Sequence, residues 1–287
     1  MNEKNFEYLK KLLDNLGFGT RLNGVLQQAL EKGFNTFTLG LNNSYLSEES
    51  RILGTPNKDI VKYRLNFAKS KNSDSVFLND YQVFLFKPLE ITPRSHAFDL
   101  ERDHRITALQ AYRLLSGFSI QKDVFLSRRE GIEPNEAQPE SKKLWLKINL
   151  DVIDAYEQHP LRKFYPEYGY DLGASIDKYP FTNLSSGPIR EMALQDLAKG
   201  KLFKTEMRLF DQVFPVYVAA NPQSRSLEIY DKALSRISDR QIFPDKIEKL
   251  ESGARQADLT KSSDLPEKRD HPWDQDSDHD NLPKIGR

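Results

Sequence analysis

The chain has 287 residues, 38% hydrophobic and 29% charged, with 42 basic residues against 42 acidic ones. That length supports one large domain or two modest ones, and zero net charge is far from the basic excess of an obligate nucleic-acid binder. There is no cysteine, which removes disulfides, thiol nucleophiles and thiolate metal sites together, and no apolar run approaches the ~20 residues of a membrane-spanning helix.

The apolar spacing of Phe6, Leu9, Leu12, Leu13 and Leu16 predicts a first helix over 3–16, ended at Gly17-Phe18-Gly19. A second helix is predicted over 22–32, stopping at Gly33. Strands follow. Phe37, Leu39 and Leu41 alternate with polar or small residues. Val61, Tyr63, Leu65 and Phe67 alternate with Lys62, Arg64 and Asn66, the pattern of a half-buried strand with one wet face. Val76 to Phe86 is rich in aromatic and β-branched residues, and the turn Asn72-Ser73-Asp74 makes a hairpin of this pair.

Thr107 and Gln110 form a capping-box pattern that opens a helix over 107–116, followed through Gly117 by a strand near 118–127. Arg128 to Ser141, with two prolines and four glutamates, reads as an exposed loop. Lys143 to Leu150 then alternates as a strand. Pro188 suits the first position of a fourth helix, since its missing N–H would have been unpaired there. That helix ends at Gly200, and strands are predicted near 203–210, 213–220 and 225–230.

Three of these helices end alike. Leu30 to Gly33, Leu114 to Gly117 and Leu197 to Gly200 each read Leu-x-x-Gly before a strand, with the glycines 84 and 83 residues apart. Such even spacing points to one supersecondary block used three times. Beyond residue 238 apolar residues thin out. A short helix over 242–250 is expected, and from about Glu251 the segment reads as disordered. Residues 239–287 hold 12 acids and 9 bases, which leaves the body at +3 and the tail at −3.

Chemistry-bearing patterns are sparse. Asp274, Asp276, Asp278 and Asp280 alternate like the start of a calcium loop, but His279 stands where such a loop needs glycine and Ile285 where it needs glutamate. His96, Asp99, Asp103 and His104 lack the rigid spacing of a zinc site and read as a charged connector. No dinucleotide fingerprint, phosphate loop or nucleophile elbow is present. No catalytic residue, cofactor or metal is therefore expected.

The candidate partner contacts are Lys62, Arg64 and Lys147, read as projecting from wet strand faces, and the segment Arg162, Lys163, Tyr165 and Tyr168. Aromatics beside cations suit stacking on unpaired bases with phosphate neutralised alongside. Aromatic packing against a sheet and charged residues that discourage edge aggregation account for the same residues without a ligand.

Several segments together resemble a family of uncharacterised proteins carried on bacterial conjugative and other mobile genetic elements. They are Met1 to Lys10 with Gly17-Phe18-Gly19, Leu65-Asn66-Phe67 with Asn79-Asp80-Tyr81, Ala111 to Gly117, Tyr168 to Leu172, and Ala220-Asn221-Pro222 through Ile229-Tyr230-Asp231. The resemblance covers roughly residues 1–235, and Arg128 to Glu140 is longer and more acidic than the family's pattern. The family carries no established activity or catalytic residues, so the resemblance implies a DNA-transaction context and transfers no site.

The expected architecture is α+β: helix-strand-strand units with antiparallel sheets and helices packed on one face. The body is placed at 1–238, with lobes at 1–90 and 105–238, and the polar tail at 239–287. With no signal-peptide layout at the N-terminus, the expected location is the cytoplasm. The expected function is a non-enzymatic accessory protein that contacts a protein partner through a sheet face or edge. Nucleic-acid binding is the alternative, and an enzyme with a scattered site the lesser one.

Overall fold

A computed structural model describes residues 2–125, 141–209 and 212–244. Among them are seven α-helices and eleven strands in three antiparallel sheets, an α+β fold. The Leu-x-x-Gly repeat has a structural counterpart. Helix α2 (Asn23–Glu31) leads to sheet A, which contains β1 (Thr36–Leu46), β2 (Lys58–Lys69), β3 (Val76–Phe86) and β4 (Arg94–Asp99). Helix α4 (Ala108–Leu115) leads to sheet B, made of β5 (Ile120–Phe125), β6 (Ser141–Ile148) and β7 (Leu161–Phe164). Helix α6 (Pro188–Ala198) leads to sheet C, made of β8 (Phe203–Leu209), β9 (Gln212–Asn221), β10 (Ser226–Tyr230) and β11 (Arg236–Ile237).

Each sheet is a meander in which chain neighbours are sheet neighbours, so each block is one helix followed by an up-and-down sheet. In all three blocks the glycine N–H donates to the carbonyl of the leucine three residues before it, at 3.0–3.2 Å. The glycines take φ of +70°, +98° and +74°, the left-handed conformation that reverses a helix end without a Cβ penalty. Gly200 carries a second constraint. A Cβ there would lie 2.8 Å from Ile120 Cγ2 and 3.0 Å from the Ser119 carbonyl, because the third block is pressed against the start of the second.

Sheet A shows why its sequence alternates. Val61, Tyr63, Leu65 and Phe67 of β2 and Tyr81, Val83 and Leu85 of β3 are buried on its inner face. A bulge at Asn79 shifts the phase of β3, so that Val76 and Leu78 stay on the same side. Against this face pack α1 (Glu3–Asn15), through Leu9, Leu12 and Leu13, together with α2 and α4. Phe18 sets its ring edge-on to Tyr63 and Tyr81, each 5.3 Å away. Tyr63 Oη donates to the Ala108 carbonyl at 3.0 Å, tying sheet A to the start of α4. Asn5 imitates a strand residue, donating to the Val76 carbonyl at 2.9 Å and accepting from its N–H at 2.8 Å. The capping box at Thr107 and Gln110 is present as expected.

Sheet B is packed on both faces at its centre. Leu144, Leu146 and Ile148 of β6 join the core formed with sheet A, while Trp145 and Phe164 are buried on the opposite side. The Trp145 ring meets Tyr170 edge-on at 5.2 Å.

Two sequence expectations change. Residues 94–99 are not a connector: they form β4, the fourth strand of sheet A, paired with β3 from Asp80↔Asp99 to Leu85↔Arg94. A single core cluster runs from Leu9 to Ile148, across the expected lobe boundary. Between β1 and β2 the chain forms α3 (Glu48–Leu53), capped by the Ser47 hydroxyl. Residues 1–237 form one compact unit and 238–287 a second, of which only α7 (Asp239–Ile242) and its flanks are described. The expected loop over 128–141, except Ser141, which begins β6, the disordered tail and the alternating aspartates lie outside the described residues. No helix among the described residues is long and apolar enough to cross a membrane.

Candidate interaction surface

The seven residues singled out in the sequence fall in three places. Lys62 and Arg64 stand together on the outer face of sheet A, both exposed. Lys58 shares that face of β2, two register steps further along. The Lys62 ammonium lies 4.8 Å from the centre of the Phe86 ring, and the Arg64 guanidinium 5.6 Å from that of Phe84. At exposed sites such contacts are worth only ~0.5–1 kcal/mol. Opposite these cations, β1 presents Gly40 to Arg64 and Asn42 to Lys62, so the surface beside them is low and uncharged. Lys58, Phe84 and Phe86 were missed, although period-two alternation carried from Lys62 places Lys58 on the same face.

Lys147 is not on a wet face. Its side chain is 14% exposed and pairs with Glu228 of β10 at 3.1 Å, because sheet C covers that side of β6. Glu228 also accepts from Asn221 Nδ2 and from Tyr230 Oη, each at 2.8 Å. Burial, then the Glu228 carboxylate, pushes the Tyr230 phenol well above its ordinary pKa. Lys147, Glu228 and Tyr230 line a cleft of about 380 Å³ with Arg94, Asn149 and Arg236. Arg94 pairs with Glu90 and donates to the Leu115 carbonyl at 2.9 Å. Of the charged groups lining the cleft, Lys147 and Glu228 pair with each other, while Arg94 and Glu49 pair with Glu90 and Lys87 outside it.

The third group divides across β7. Arg162 is exposed, whereas Lys163 points the other way and pairs with Asp103 at 2.9 Å. Tyr165 is 41% exposed. Tyr168 packs 5.1 Å from Phe164, donates to the Gln223 carbonyl at 2.9 Å and lies under the Arg225 guanidinium at 4.4 Å. This segment holds β7 against sheet C, the packing role weighed against base stacking.

Of His96, Asp99, Asp103 and His104, the last three shape a turn, while His96 lies within β4 opposite Val83. Asp103 accepts from the Asp99 N–H at 3.0 Å, and Asp99 accepts from the N–H groups of Glu101 and Arg102. His104 and Arg105 are both left-handed, and Lys122 supports the turn by donating to the Arg105 carbonyl at 2.7 Å. Burial brings the Lys122 ammonium down to a pKa of about 8. Deeper in the body, Asp59 is 2% exposed and accepts from Tyr112 Oη at 2.8 Å. Burial raises its pKa, with the Tyr112 bond opposing the shift.

The two edges of sheet A differ. β4 is closed by the 157–159 segment: His159 N–H donates to the Ser95 carbonyl at 2.9 Å, and Gln158 Oε1 accepts from the Ala97 N–H at 2.9 Å. No described strand pairs with the far side of β1. No family model, curated protein or solved structure matches the chain.

Proposed function

We propose that this chain is a non-enzymatic binding protein that takes a macromolecular partner on the outer side of sheet A. One observation carries the reading: Lys58, Lys62 and Arg64 stand exposed in one row, beside a strand whose outer edge pairs with no described strand, while sheet B is packed on both faces at its centre. The mobile-element resemblance makes the DNA-processing proteins of such elements the first partners to try.

A photo-crosslinking residue at position 62 tests this in the native host, with position 204, exposed on β8, as the control. Adducts of higher mass from 62 and none from 204 support the reading. Equal yields, or none, overturn it.

The cation–ring pairs on β2 and β3 favour single-stranded nucleic acid as a second reading. Fluorescence anisotropy with oligothymidine at two salt concentrations separates the two. Binding that weakens steeply with salt and disappears in the Lys62→Glu/Arg64→Glu variant favours nucleic acid.

A further inference from the structure

Period two in a strand turns the backbone groups of alternate residues to opposite sides. The Asn35 carbonyl accepts from the Lys69 N–H at 2.8 Å, which fixes the odd-numbered residues of β1 as those bonded to β2. The Asn42 carbonyl instead accepts from Arg21 Nη1 at 3.3 Å, so the even-numbered residues face away from β2. Thr36, Thr38 and Gly40 share that phase, and among the described residues no other element offers them a backbone partner.

β1 also lacks the usual protection of an exposed edge. Its eleven residues, Thr36 to Leu46, include no charge and no proline. Its neighbour supplies charge of one sign: the outer face of β2 carries Lys58, Lys62 and Arg64 and no acid, and Arg21 sits at the edge itself. From these observations we infer that β1 is a strand-addition site whose occupant is an acidic, extended peptide lying along Thr36 to Gly40. An added strand lies ~4.8 Å beyond β1 and ~9.6 Å from β2. Lys62 and Arg64 lie over the Phe86 and Phe84 rings of β3, so they meet a glutamate reaching back across β1 by swinging off those rings, and Gly40 leaves the lane in front of Arg64 clear. A second copy of this chain fits less well, since pairing β1 with β1 sets two rows of like charge on one face. Nucleic acid has no backbone ladder to offer the open N–H and C=O groups.

This inference rests on the proposed docking role of sheet A. Its test is selection of random octapeptides by phage display on the full chain. The Gly40→Pro variant serves as the decisive control, because it deletes an N–H that no strand uses and proline is tolerated on edges. The expected result is enrichment of Asp and Glu at alternate positions, with binding at least ~10-fold weaker to Gly40→Pro, the cost of about one lost hydrogen bond. The Lys62→Glu/Arg64→Glu variant should lose the same peptides without touching the edge. Peptides lacking acids, or insensitive to both variants, overturn the inference. So does a dimer by light scattering that Gly40→Pro abolishes, or oligothymidine binding with no peptide enriched. If crosslinking at position 62 succeeds while selection fails, the surface stands and strand addition falls. If both fail, the surface falls as well.

Discussion

Sheets A and B are built from the same meander, yet among the described residues one keeps a face and an edge open while the other is packed on both faces at its centre. The difference is legible in single strands. β2 alternates strictly, with Asp59, Val61, Tyr63, Leu65 and Phe67 inside and Lys58, Ile60, Lys62 and Arg64 outside. β6 instead buries three consecutive residues, Leu144, Trp145 and Leu146, because sheet A with α4 packs one side and sheet C the other. Substitutions in sheet B should therefore register as lost stability, and those on the outer side of sheet A as lost binding.

The largest effect is expected from Trp145→Ala. Removing a 3%-exposed indole should cost about 3–5 kcal/mol in denaturant unfolding. A cost below about 1 kcal/mol would mean that sheet B is not packed as described. Gly200→Ala comes next, at about 3 kcal/mol, because a left-handed penalty adds to overpacking against Ile120 and Ser119. Gly33→Ala shares the left-handed φ but meets nothing within 4 Å, so about 1 kcal/mol is expected. Equal costs at the two glycines would erase the distinction between an open and a pressed block junction. Glu228→Ala should cost about 2 kcal/mol by stranding Lys147, Asn221 and Tyr230.

Asp59 yields a pH-dependent prediction. Its folded pKa is raised above the ordinary 3.8, so the folded state holds the proton more tightly than the unfolded chain. Its contribution to stability is full below pH 3.8 and is lost as pH rises through the folded value. Asp59→Asn, which still accepts from Tyr112, should match or exceed the native Tm at pH 7, with its relative advantage shrinking toward pH 3.8. A wider advantage at low pH would reverse the sign and count against burial as the cause. The smallest effect belongs to the outer face of sheet A. Lys62→Ala should shift stability by no more than about 0.5 kcal/mol.

Much of this fold was readable from local chemistry. The glycine caps, the capping box at Thr107 and the alternation of β2 depend on neighbours in sequence, and each is present where the pattern placed it. β4 escaped because residues 88–105 carry prolines and charge that resemble a connector, while its strand character comes from pairing with β3. Lys147 was assigned to solvent because alternation locates a face but does not say what covers it, and its partner Glu228 lies 81 residues away. For the candidate surface, Lys62 and Arg64 were visible and the open edge of β1 was not. An edge is defined by the strand that fails to pair with it, and that is known only once the sheet order is fixed.

Hydrogen exchange at the two edges of sheet A is the most direct measurement. In the free chain, Thr38 and Gly40 N–H should exchange at nearly unfolded rates while Ala97 N–H is protected. Addition of a display-selected acidic peptide should protect Thr38 and Gly40 and leave Ala97 unchanged. Protection of Thr38 and Gly40 in the free chain, or none gained on binding, would contradict an open β1 edge that receives a partner.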